Sequence, residues 1–579
     1  MERRRPVWAT HPRISSEEVR RVQAALPQLG LSPLLVQLLA NRGLTDPGEV
    51  EEFLHPPDVS GYPDPLLLTG MREAVDRICT ALHTKEKVVV YGDFDADGVT
   101  STALLTTALR HLGANVEPYV PNRVREGYGL NTTALQELAG KGASLLITVD
   151  CGISGRSEIE DARKAGMDVI VTDHHHLPAD LPAASACINP KQRAEGCDCY
   201  EDLCGAGVAY QLVRALVKRC GKPPGLRNKD LLGLVAIGTV ADVVPLKGAN
   251  RSLVYHGLAA LAQHSLPGLP TMLKYAHVEL DNIDTERIGF VIGPRLNAAG
   301  RVDDASTAYQ LLMTEDSREA GFLAQKLEAQ NRRRQALTTS IVEQAKERAR
   351  NMDDGLKLIV LSDRDWPSGI IGLVAGRLVE EFGRPVLVLE EGEDESRGSA
   401  RSTQHLNIVE ALTEVQDLLV RFGGHSAAAG LTVKTSMIGE LNRRLCEIAD
   451  GQLEEHHLQP TYMADAEVTL ADVSDATMDG ISRLAPFGSG NPTPVFMALG
   501  LRAHEVFTVG DGSHLKLMLS DAGSMGGRLV EAIGFRFGHL AETLRRSPKV
   551  DVLFSIERRE WRGDRHLQLR LKDVRPSEL

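Results

Sequence analysis

The fold is decided by the stretch KVVVYGDFDADG at positions 87–98, in which an apolar strand runs into three aspartates at alternate positions. If the chain stays extended beyond the strand, Asp93, Asp95 and Asp97 point to one face. Three carboxylates on one face repel each other unless cations bind them, and hard oxygen ligands suit Mg²⁺ or Mn²⁺. A solvated acidic turn or a calcium loop is the alternative. The stretch predicts a divalent-metal site at the end of a buried strand.

Strands and helices alternate on both sides of this stretch. Further apolar strands are predicted at 116–120, 144–149 and 168–172, and a helix is predicted at 98–112. Apolar strands that alternate with helices form a parallel sheet with helices on both faces. Because ligands bind beyond the carboxyl ends of such strands, the strand ends are the places to search for a site.

Three more signals fall at or near such ends. Asp150 follows the third strand, and His174 and His175 follow the fourth, while Asp242 lies within an apolar stretch. Each has a simple alternative, either a helix cap or a surface histidine cluster. A carboxylate in apolar surroundings should be paired or metal-bound, and imidazoles beside carboxylates suit first-row metals. Together they supply ligands for two ions roughly 3.5–4 Å apart, a common arrangement for phosphoester hydrolysis.

The rest of the chain divides into segments of different pattern. A polar stretch at 316–350 without proline predicts one long, largely solvated helix, and 353–450 resumes an α/β pattern. Short alternating strands from about 462 onward predict an antiparallel barrel. The predicted segments are 1–65 (helical), 66–250 (catalytic α/β domain), 251–315 (helical part of the same lobe), 316–351 (connecting helix), 352–460 (second α/β lobe) and 461–579 (β-barrel).

Composition is that of an ordinary soluble globular protein, with 42% hydrophobic and 25% charged residues and a net charge of -13. The sequence contains no apolar run of about 18 residues, so no membrane helix is predicted, and no secretory signal is recognised. The cysteines Cys197, Cys199 and Cys204 lack a fourth ligand with the spacing of a zinc site. Eight scattered cysteines favour reduced thiols, and hence a cytoplasmic location.

The motifs occur in the order found in a known family. The chain resembles the DHH phosphoesterases, and among them the RecJ-type exonucleases, in DFDADG (93–98), VDCG (149–152), DHH (173–175), AD (241–242), GPRLNAAGR (293–301), GGHSAAAG (423–430) and PFGSGNP (486–492). The resemblance covers nearly the whole chain. It implies an α/β fold with two lobes, named DHH and DHHA1, joined by the long helix and followed by a C-terminal OB-type β-barrel.

The resemblance also implies a ligand set for two Mn²⁺ or Mg²⁺ ions. The catalytic metal ligands would be Asp95, Asp97, Asp150, His174, His175 and Asp242. Asp93 would be a further ligand or would orient one. His176 lies outside the two-histidine motif and carries no implied role.

Substrate contacts are predicted in four segments. In the first, Arg123 beside Tyr128 suits a phosphate contact next to a stacked base, against the alternative of a polar loop with a core tyrosine. In the others, backbone amides, guanidinium groups and an imidazole would hold a 5′-terminal phosphate, against the alternative of a glycine-rich turn that packs two helices. The predicted residues there are Asn297, Arg301, Ser399, Arg401, Gly424 and His425.

The resemblance implies a single-stranded-DNA-specific 5′→3′ exonuclease that releases 5′-mononucleotides in DNA recombination and repair. Its implied partners are single-stranded DNA, a single-strand-binding protein and a RecQ-type helicase, with no membrane. One alternative is a DHH-family phosphodiesterase or pyrophosphatase acting on small nucleotides or oligoribonucleotides. The other is a non-catalytic DNA-binding replication scaffold, which the complete set of predicted ligands disfavours.

Overall fold

The structure is a computed structural model that describes residues 5–122, 126, 129–193, 195–263, 266–280, 283–302, 305–521, 528–547, 549–561 and 564–578. The chain forms two compact units. The first unit comprises residues 1–7, 63–244 and 256–460, and the second comprises 8–62, 245–255 and 461–579. Along the described residues, every helix is too short or too polar to cross a lipid bilayer.

The α-helices are α1 (Ser16–Ala25), α2 (Pro33–Ala40), α3 (Pro47–Leu54), α4 (Met71–Thr84), α5 (Ala96–His111), α6 (Thr132–Gly140), α7 (Arg156–Lys164), α8 (Gly205–Cys220), α9 (Asn228–Ala241), α10 (Gly248–Leu261), α11 (Gly268–Tyr275), α12 (Thr285–Arg287), α13 (Gly293–Val302), α14 (Ser306–Met313), α15 (Ser317–Arg350), α16 (Ser368–Phe382), α17 (Ile408–Glu414), α18 (Ile438–Gln452), α19 (Asp475–Ser482) and α20 (Ala541–Arg546). The β-strands are β1 (Val7–Thr10), β2 (Lys87–Tyr91), β3 (Asn115–Tyr119), β4 (Leu145–Val149), β5 (Asp168–Thr172), β6 (Ala186–Ile188), β7 (Ile359–Asp363), β8 (Val386–Glu390), β9 (Glu395–Arg401), β10 (Leu419–His425), β11 (Ala428–Lys434), β12 (Thr461–Ala464), β13 (Ala466–Glu467), β14 (Phe496–Val509), β15 (His514–Ser520), β16 (Val530–Gly534), β17 (Lys549–Trp561) and β18 (Asp564–Pro576).

The first unit contains a five-stranded sheet of order β3-β2-β4-β5-β6. All neighbouring strands are parallel, and Ile147 of β4 pairs with Val90 on one side and Ile170 on the other. Every residue of β4 is buried, as a strand covered on both faces requires. The predicted parallel sheet is confirmed, and the carboxyl ends of β2, β4 and β5 meet at one edge.

A second sheet in the same unit has the order β10-β11-β9-β8-β7, with β7 and β8 parallel and the other pairs antiparallel. The predicted long helix is confirmed as α15. It is less solvated than expected, because Leu323 and Leu327 are buried in its first half and Ile341 and Ala345 in its second. The second pair packs in one cluster with α16 and with strands β7 and β8, so the helix forms part of the core.

The second unit is built around strands β14 to β18. They follow the order β14-β15-β16-β18-β17, and β17 pairs back to β14, which closes a five-stranded barrel. Closure removes the exposed edges that an open sheet would leave. The barrel core also takes in the N-terminal helices, because Val22, Leu38 and Leu39 belong to the same buried cluster as Phe496 and Phe554.

Candidate active site

The three aspartates after β2 do not continue an extended strand, so the expectation of strict alternation is wrong. Helix α5 begins at Ala96, and the side chain of Asp95 caps it by accepting a hydrogen bond from the Gly98 amide at 3.0 Å. Asp97 lies in the first helical turn, where a carboxylate is stabilised by the helix dipole. Even so, the turn from strand to helix directs Asp93, Asp95 and Asp97 to the same side of the sheet edge as Asp150.

Three overlapping groups of side chains at this edge could each hold a metal ion. Within each group, one potential ligand atom per residue lies within 4.8 Å of the others. The groups are Asp150 with His174 and His175, Asp97 with His174 and Asp242, and Asp93 with Asp95 and Asp150. Together they contain all seven predicted ligands, contributed by the ends of β2, β4, β5 and α9 and by the first turn of α5. We call them the carboxylate–histidine cluster.

His174 lies at the centre of this cluster. Its Nε2 is 3.1 Å from Asp150 Oδ1, 3.6 Å from Asp242 Oδ2 and 3.9 Å from Asp97 Oδ2. Asp150 Oδ1 and His174 Nε2 are both buried and make no hydrogen bond. Leaving a buried acceptor and a buried ring nitrogen without partners is costly. A divalent cation bound between them would satisfy both atoms, so the residues present fit such an ion.

Two backbone amides hold the carboxylate of Asp97, and two glycines let helices α8 and α9 approach the cluster. Its carboxylate accepts hydrogen bonds from the amides of Gly205, at 2.6 Å, and Ala206, at 2.9 Å, at the start of α8. A side chain at Gly205 would place its Cβ 2.5 Å from the Cβ of Asp150. A side chain at Gly238 would place its Cβ 2.5 Å from Asp97 Oδ1. Both helices therefore approach the site closely because these positions lack a side chain.

Asp173 acts behind the cluster by orienting His175. Its Oδ1 accepts a hydrogen bond from the Nδ1 of that histidine at 2.7 Å, and its Oδ2 accepts one from the Ile153 amide at 2.9 Å. Burial opposes the charge, but the bond to His175 and the backbone amides hold the pKa of Asp173 below its ordinary value. A carboxylate that receives the Nδ1 proton leaves Nε2 of the same ring free to bind a metal.

The pKa values in the cluster show that burial and mutual repulsion disfavour the ionised carboxylates when no cation is bound. Burial and then the neighbouring Asp95 raise the pKa of Asp97 to about 6. Burial, followed by repulsion from Asp97 and Asp95, raises the pKa of Asp242 to about 9. Burial also raises the pKa of Asp150 well above its ordinary value and lowers the pKa of His174 to about 3. Bound divalent cations would reverse the shifts of the carboxyl groups and would lower the pKa of His174 further, because they favour carboxylates and neutral imidazoles.

Next to the cluster lies a pocket of about 560 Å³ that is lined by arginines, which we call the arginine pocket. Arg397, Ser399 and Arg401 project from one face of β9, and Arg421 comes from β10. The floor of the pocket is the sheet at Gly423 and Gly430. A Cβ on either glycine would meet no other atom within 4 Å, so the space above the floor is open. Phe94, between two cluster aspartates, lines the same pocket and joins the two sites.

Three of the arginines that line this pocket are not neutralised by another described residue. Arg397, Arg401 and Arg421 make no ion pair with a carboxylate in the part of the chain that the structure describes. Arg401 donates to Ser399 Oγ at 3.1 Å, and Arg421 donates to Thr432 Oγ1 at 3.2 Å. Burial lowers the pKa of Arg401, as is expected of a cation without an anionic partner. Such a pocket suits a phosphate group.

The remaining predicted substrate residues take different positions. Arg301 lines the arginine pocket, as Ser399 and Arg401 do. Asn297 instead accepts a hydrogen bond from the Ala96 amide at 2.6 Å, so it supports the turn that carries the aspartates. The ring of His425 lies against that of His176, tilted by 54° with the centroids 4.6 Å apart, and its neighbour Gly424 is not among the residues that line the pocket. Arg123 and Tyr128 lie outside the described residues.

Sequence reasoning missed Arg397 and Arg421. The signal for Arg397 was available, because strand alternation places it on the same face as Ser399 and Arg401. Arg421 could not be found in this way. It reaches the pocket because Thr432 pairs with it on one side and with Arg397 on the other, and that register is set by the folded sheet.

Comparison with known proteins identifies the family. The chain matches the description "DHH family, N-terminal domain" over residues 87–239, "DHHA1 domain" over 355–452 and "RecJ OB domain" over 464–573. It is 37% identical over 562 residues to the single-stranded-DNA-specific exonuclease RecJ of Bacillus subtilis, covering 96% of this chain and 70% of that protein. The chain belongs to the RecJ family.

Solved structures of the RecJ family agree with this fold. The crystal structure of RecJ from Thermus thermophilus with Mn²⁺ matches with a TM-score of 0.84 and 31% identity, covering 99% of this chain and 80% of that one. The structure of the same RecJ with Mg²⁺ gives a TM-score of 0.79 and 30% identity, covering 99% and 79%. The two lobes and the C-terminal OB-type barrel expected from the sequence are therefore those of a RecJ protein.

Proposed function

We propose that this protein is a metal-dependent exonuclease that hydrolyses single-stranded DNA from its 5′ end and releases 5′-mononucleotides in DNA recombination and repair. The observation that carries the proposal is the position of the arginine pocket beside the carboxylate–histidine cluster, with Phe94 lining the pocket from within the aspartate turn. A pocket for an end phosphate next to a metal site determines which phosphodiester is cut. The single-strand preference is supported by the name of the B. subtilis relative.

The proposed metal ligands are Asp93, Asp95, Asp97, Asp150, His174, His175 and Asp242, which would hold two Mn²⁺ or Mg²⁺ ions. When bound, such ions supply Lewis acidity, which makes water more acidic and neutralises charge on the attacked phosphate. The protein holds the ligands in place. The α8 amides fix Asp97, and Asp173 keeps the proton of His175 on Nδ1.

The arginine pocket supplies the 5′ polarity in this proposal. A terminal phosphate carries more negative charge than an internal phosphodiester and exposes more oxygens to the guanidinium groups of Arg397, Arg401 and Arg421. Binding that end holds the first phosphodiester at the metal cluster, so positioning contributes to the rate as well as to specificity. Ser399 and the open floor at Gly423 and Gly430 leave space for the phosphate oxygens.

The test is digestion of single-stranded oligonucleotides labelled at either end, with Mn²⁺, with Mg²⁺ and with EDTA, and with a blunt duplex as the control. We expect early release of the 5′ label as a mononucleotide, from single strands only and with metal only. The double variant Asp95→Ala/Asp97→Ala should bind the strand and fail to cut it. Glu160→Ala, an exposed carboxylate on α7, is the matched control and should cut normally.

Other outcomes would redirect the proposal. Early release of a 3′ label would contradict the polarity. Binding without digestion by the intact protein would favour a replication scaffold. Digestion of dinucleotides but not of longer strands would favour a small-nucleotide phosphodiesterase.

The proposal extends to the setting of the reaction. An enzyme restricted to single strands needs a helicase, for which a RecQ type is proposed, to open duplex ends. A single-strand-binding protein would present the product. A cytoplasmic location agrees with a DNA substrate and with eight cysteines that are all free thiols.

A further inference from the structure

Two of these free cysteines lie side by side on neighbouring helices. Cys79 belongs to α4, and Cys220 is the last residue of α8. Their Sγ atoms are 3.2 Å apart. An exposed ion pair also spans the two helices, in which Nε of Arg219, the neighbour of Cys220, lies 4.0 Å from Oδ1 of Asp76 on α4. The two helices therefore lie side by side where the thiols meet.

We propose that Cys79 and Cys220 are an oxidative modification site, at which a peroxide converts the two thiols into a disulfide that links α4 to α8. A disulfide needs its sulfur atoms about 2.05 Å apart, so closure requires the sulfurs to move by roughly 1 Å. Cys220 is at a helix end and is exposed, where such a movement meets little resistance.

The exposure of the two thiols sets the order of events. Cys220 is exposed and Cys79 is partly covered, so a peroxide meets Cys220 first. Burial and the hydrogen bond with Cys220 raise the pKa of Cys79 to about 11, which keeps Cys79 protonated while both thiols are reduced. Peroxide oxidises the Cys220 sulfur to a sulfenic acid and is reduced to water. The Cys79 sulfur then displaces hydroxide, its proton leaves with the hydroxide as a second water, and the S–S bond forms.

The link would enclose most of the metal site without touching it. The two cysteines are separated by 141 positions, and six of the seven cluster residues lie between them in the sequence; Asp242 lies outside. Helix α8 carries Gly205 at its other end, roughly 22 Å from Cys220 at 1.5 Å per residue. A cross-link over so long a loop restricts the unfolded chain strongly. The disulfide should therefore stabilise the catalytic lobe and leave the active site unchanged.

The experiment uses the full-length protein treated with hydrogen peroxide, then alkylated, digested and analysed by mass spectrometry. We expect a peptide pair linked through Cys79 and Cys220, lighter by two hydrogens than its reduced parts. The oxidised protein should melt on the order of 5 °C higher than the reduced one, and dithiothreitol should reverse both effects. Nuclease activity on single strands should change by less than about twofold.

The controls are single serine variants. Cys79→Ser and Cys220→Ser should each abolish the linked peptide and the rise in melting temperature. Cys446→Ser, which removes a partly buried cysteine of the second lobe, should preserve both. Three results would overturn the proposal: no Cys79–Cys220 peptide while other thiols are oxidised, a linked protein with an unchanged melting temperature, or a linked protein that loses activity. The first two readouts do not depend on the proposed nuclease function.

Discussion

The carboxylate–histidine cluster and the arginine pocket adjoin each other and have opposite chemistry. The cluster gathers five carboxylates and two imidazoles at the ends of parallel strands, and burial there raises the pKa values of Asp97, Asp150 and Asp242. The pocket gathers guanidinium groups above a sheet whose floor is formed by two glycines, and burial there lowers the pKa of Arg401. In the part of the chain that the structure describes, the cluster carboxylates outnumber the cations beside them, and Arg397, Arg401 and Arg421 have no carboxylate partner. The first site therefore favours cations and the second favours phosphate.

In the proposed function, the two sites divide the work of an end-directed hydrolase. The cluster would hold the groups that support chemistry on any phosphodiester. The pocket would select which phosphodiester is presented. If this division is correct, damage to the cluster should affect all substrates, and damage to the pocket should depend on the chemistry of the strand end.

The largest effect is expected from Asp150→Ala. Asp150 belongs to two of the three metal-binding groups, so its loss should lower kcat by roughly 10³-fold or more on every substrate. Strand binding measured by fluorescence anisotropy should remain, because the arginine pocket is untouched. Activity within tenfold of that of the intact protein would show that the carboxylate–histidine cluster does not support the chemistry.

Arg401→Ala should give a loss that depends on the strand end. Charge-assisted hydrogen bonds to an anion contribute about 1.5–3 kcal/mol, so kcat/KM on 5′-phosphorylated strands should fall roughly 10- to 100-fold. Strands with a 5′-hydroxyl should lose much less. Arg443→Ala, an exposed arginine paired with Glu440 and Glu447, is the matched control. Equal losses on both kinds of end would assign Arg401 to the fold and not to end recognition.

Asn297 tests whether the turn between the two sites needs external support. Its side-chain oxygen holds the Ala96 amide, so Asn297→Ala should lower kcat by about tenfold through misplacement of Asp95 and Asp97. KM should change little, and circular dichroism should show an intact fold. Asn297→Asp keeps the acceptor oxygen and should recover part of the rate. A change in KM alone would favour direct substrate contact.

The smallest effect concerns stability in the absence of metal. The folded-state pKa values of Asp97, about 6, and Asp242, about 9, lie above the ordinary carboxyl value of about 3.9. Their contribution to stability is therefore complete below about pH 4 and is lost as the pH rises through 6 and then 9. In EDTA, the melting temperature should fall by roughly 5 °C between about pH 5 and pH 9.

Adding Mn²⁺ and testing the variant Asp242→Asn make the melting experiment more specific. Mn²⁺ should restore the melting temperature at high pH, because it stabilises the ionised carboxylates. Asp242→Asn removes the group with the higher pKa and should flatten the upper part of the pH curve. A melting temperature that rises with pH in EDTA would reverse the assignment.

The two sites also differ in how far the sequence predicts them. The cluster was predictable because each of its members ends a strand or follows an apolar run, and parallel strands bring their carboxyl ends to one edge. Asp93, Asp95 and Asp97 lie on one side as expected, but strand alternation is not the cause, since a helix begins at Ala96. The pocket was only partly predictable, because Arg421 depends on the register of β10 and β11.

Asn297 illustrates a second limit. Its motif, GPRLNAAGR at 293–301, indicated a functional segment, but the partner of its side chain is a backbone amide 201 positions earlier. Long-range hydrogen bonds of this kind leave no periodic signal in the sequence. The packing of α1–α3 into the barrel core was equally hidden, because an amphipathic helix does not reveal which surface covers it.

That shared core has a consequence for how the protein is made. The apolar faces of α1 to α3 are synthesised roughly 400 residues before the strands that cover them. At about 5–20 residues per second, these helices wait on the order of 20–80 s for their partner strands. The intervening lobes can fold during that interval. Helices α1 to α3 are thus buried only when the barrel strands have been made, and their leucines stay exposed to solvent throughout the synthesis of the intervening lobes.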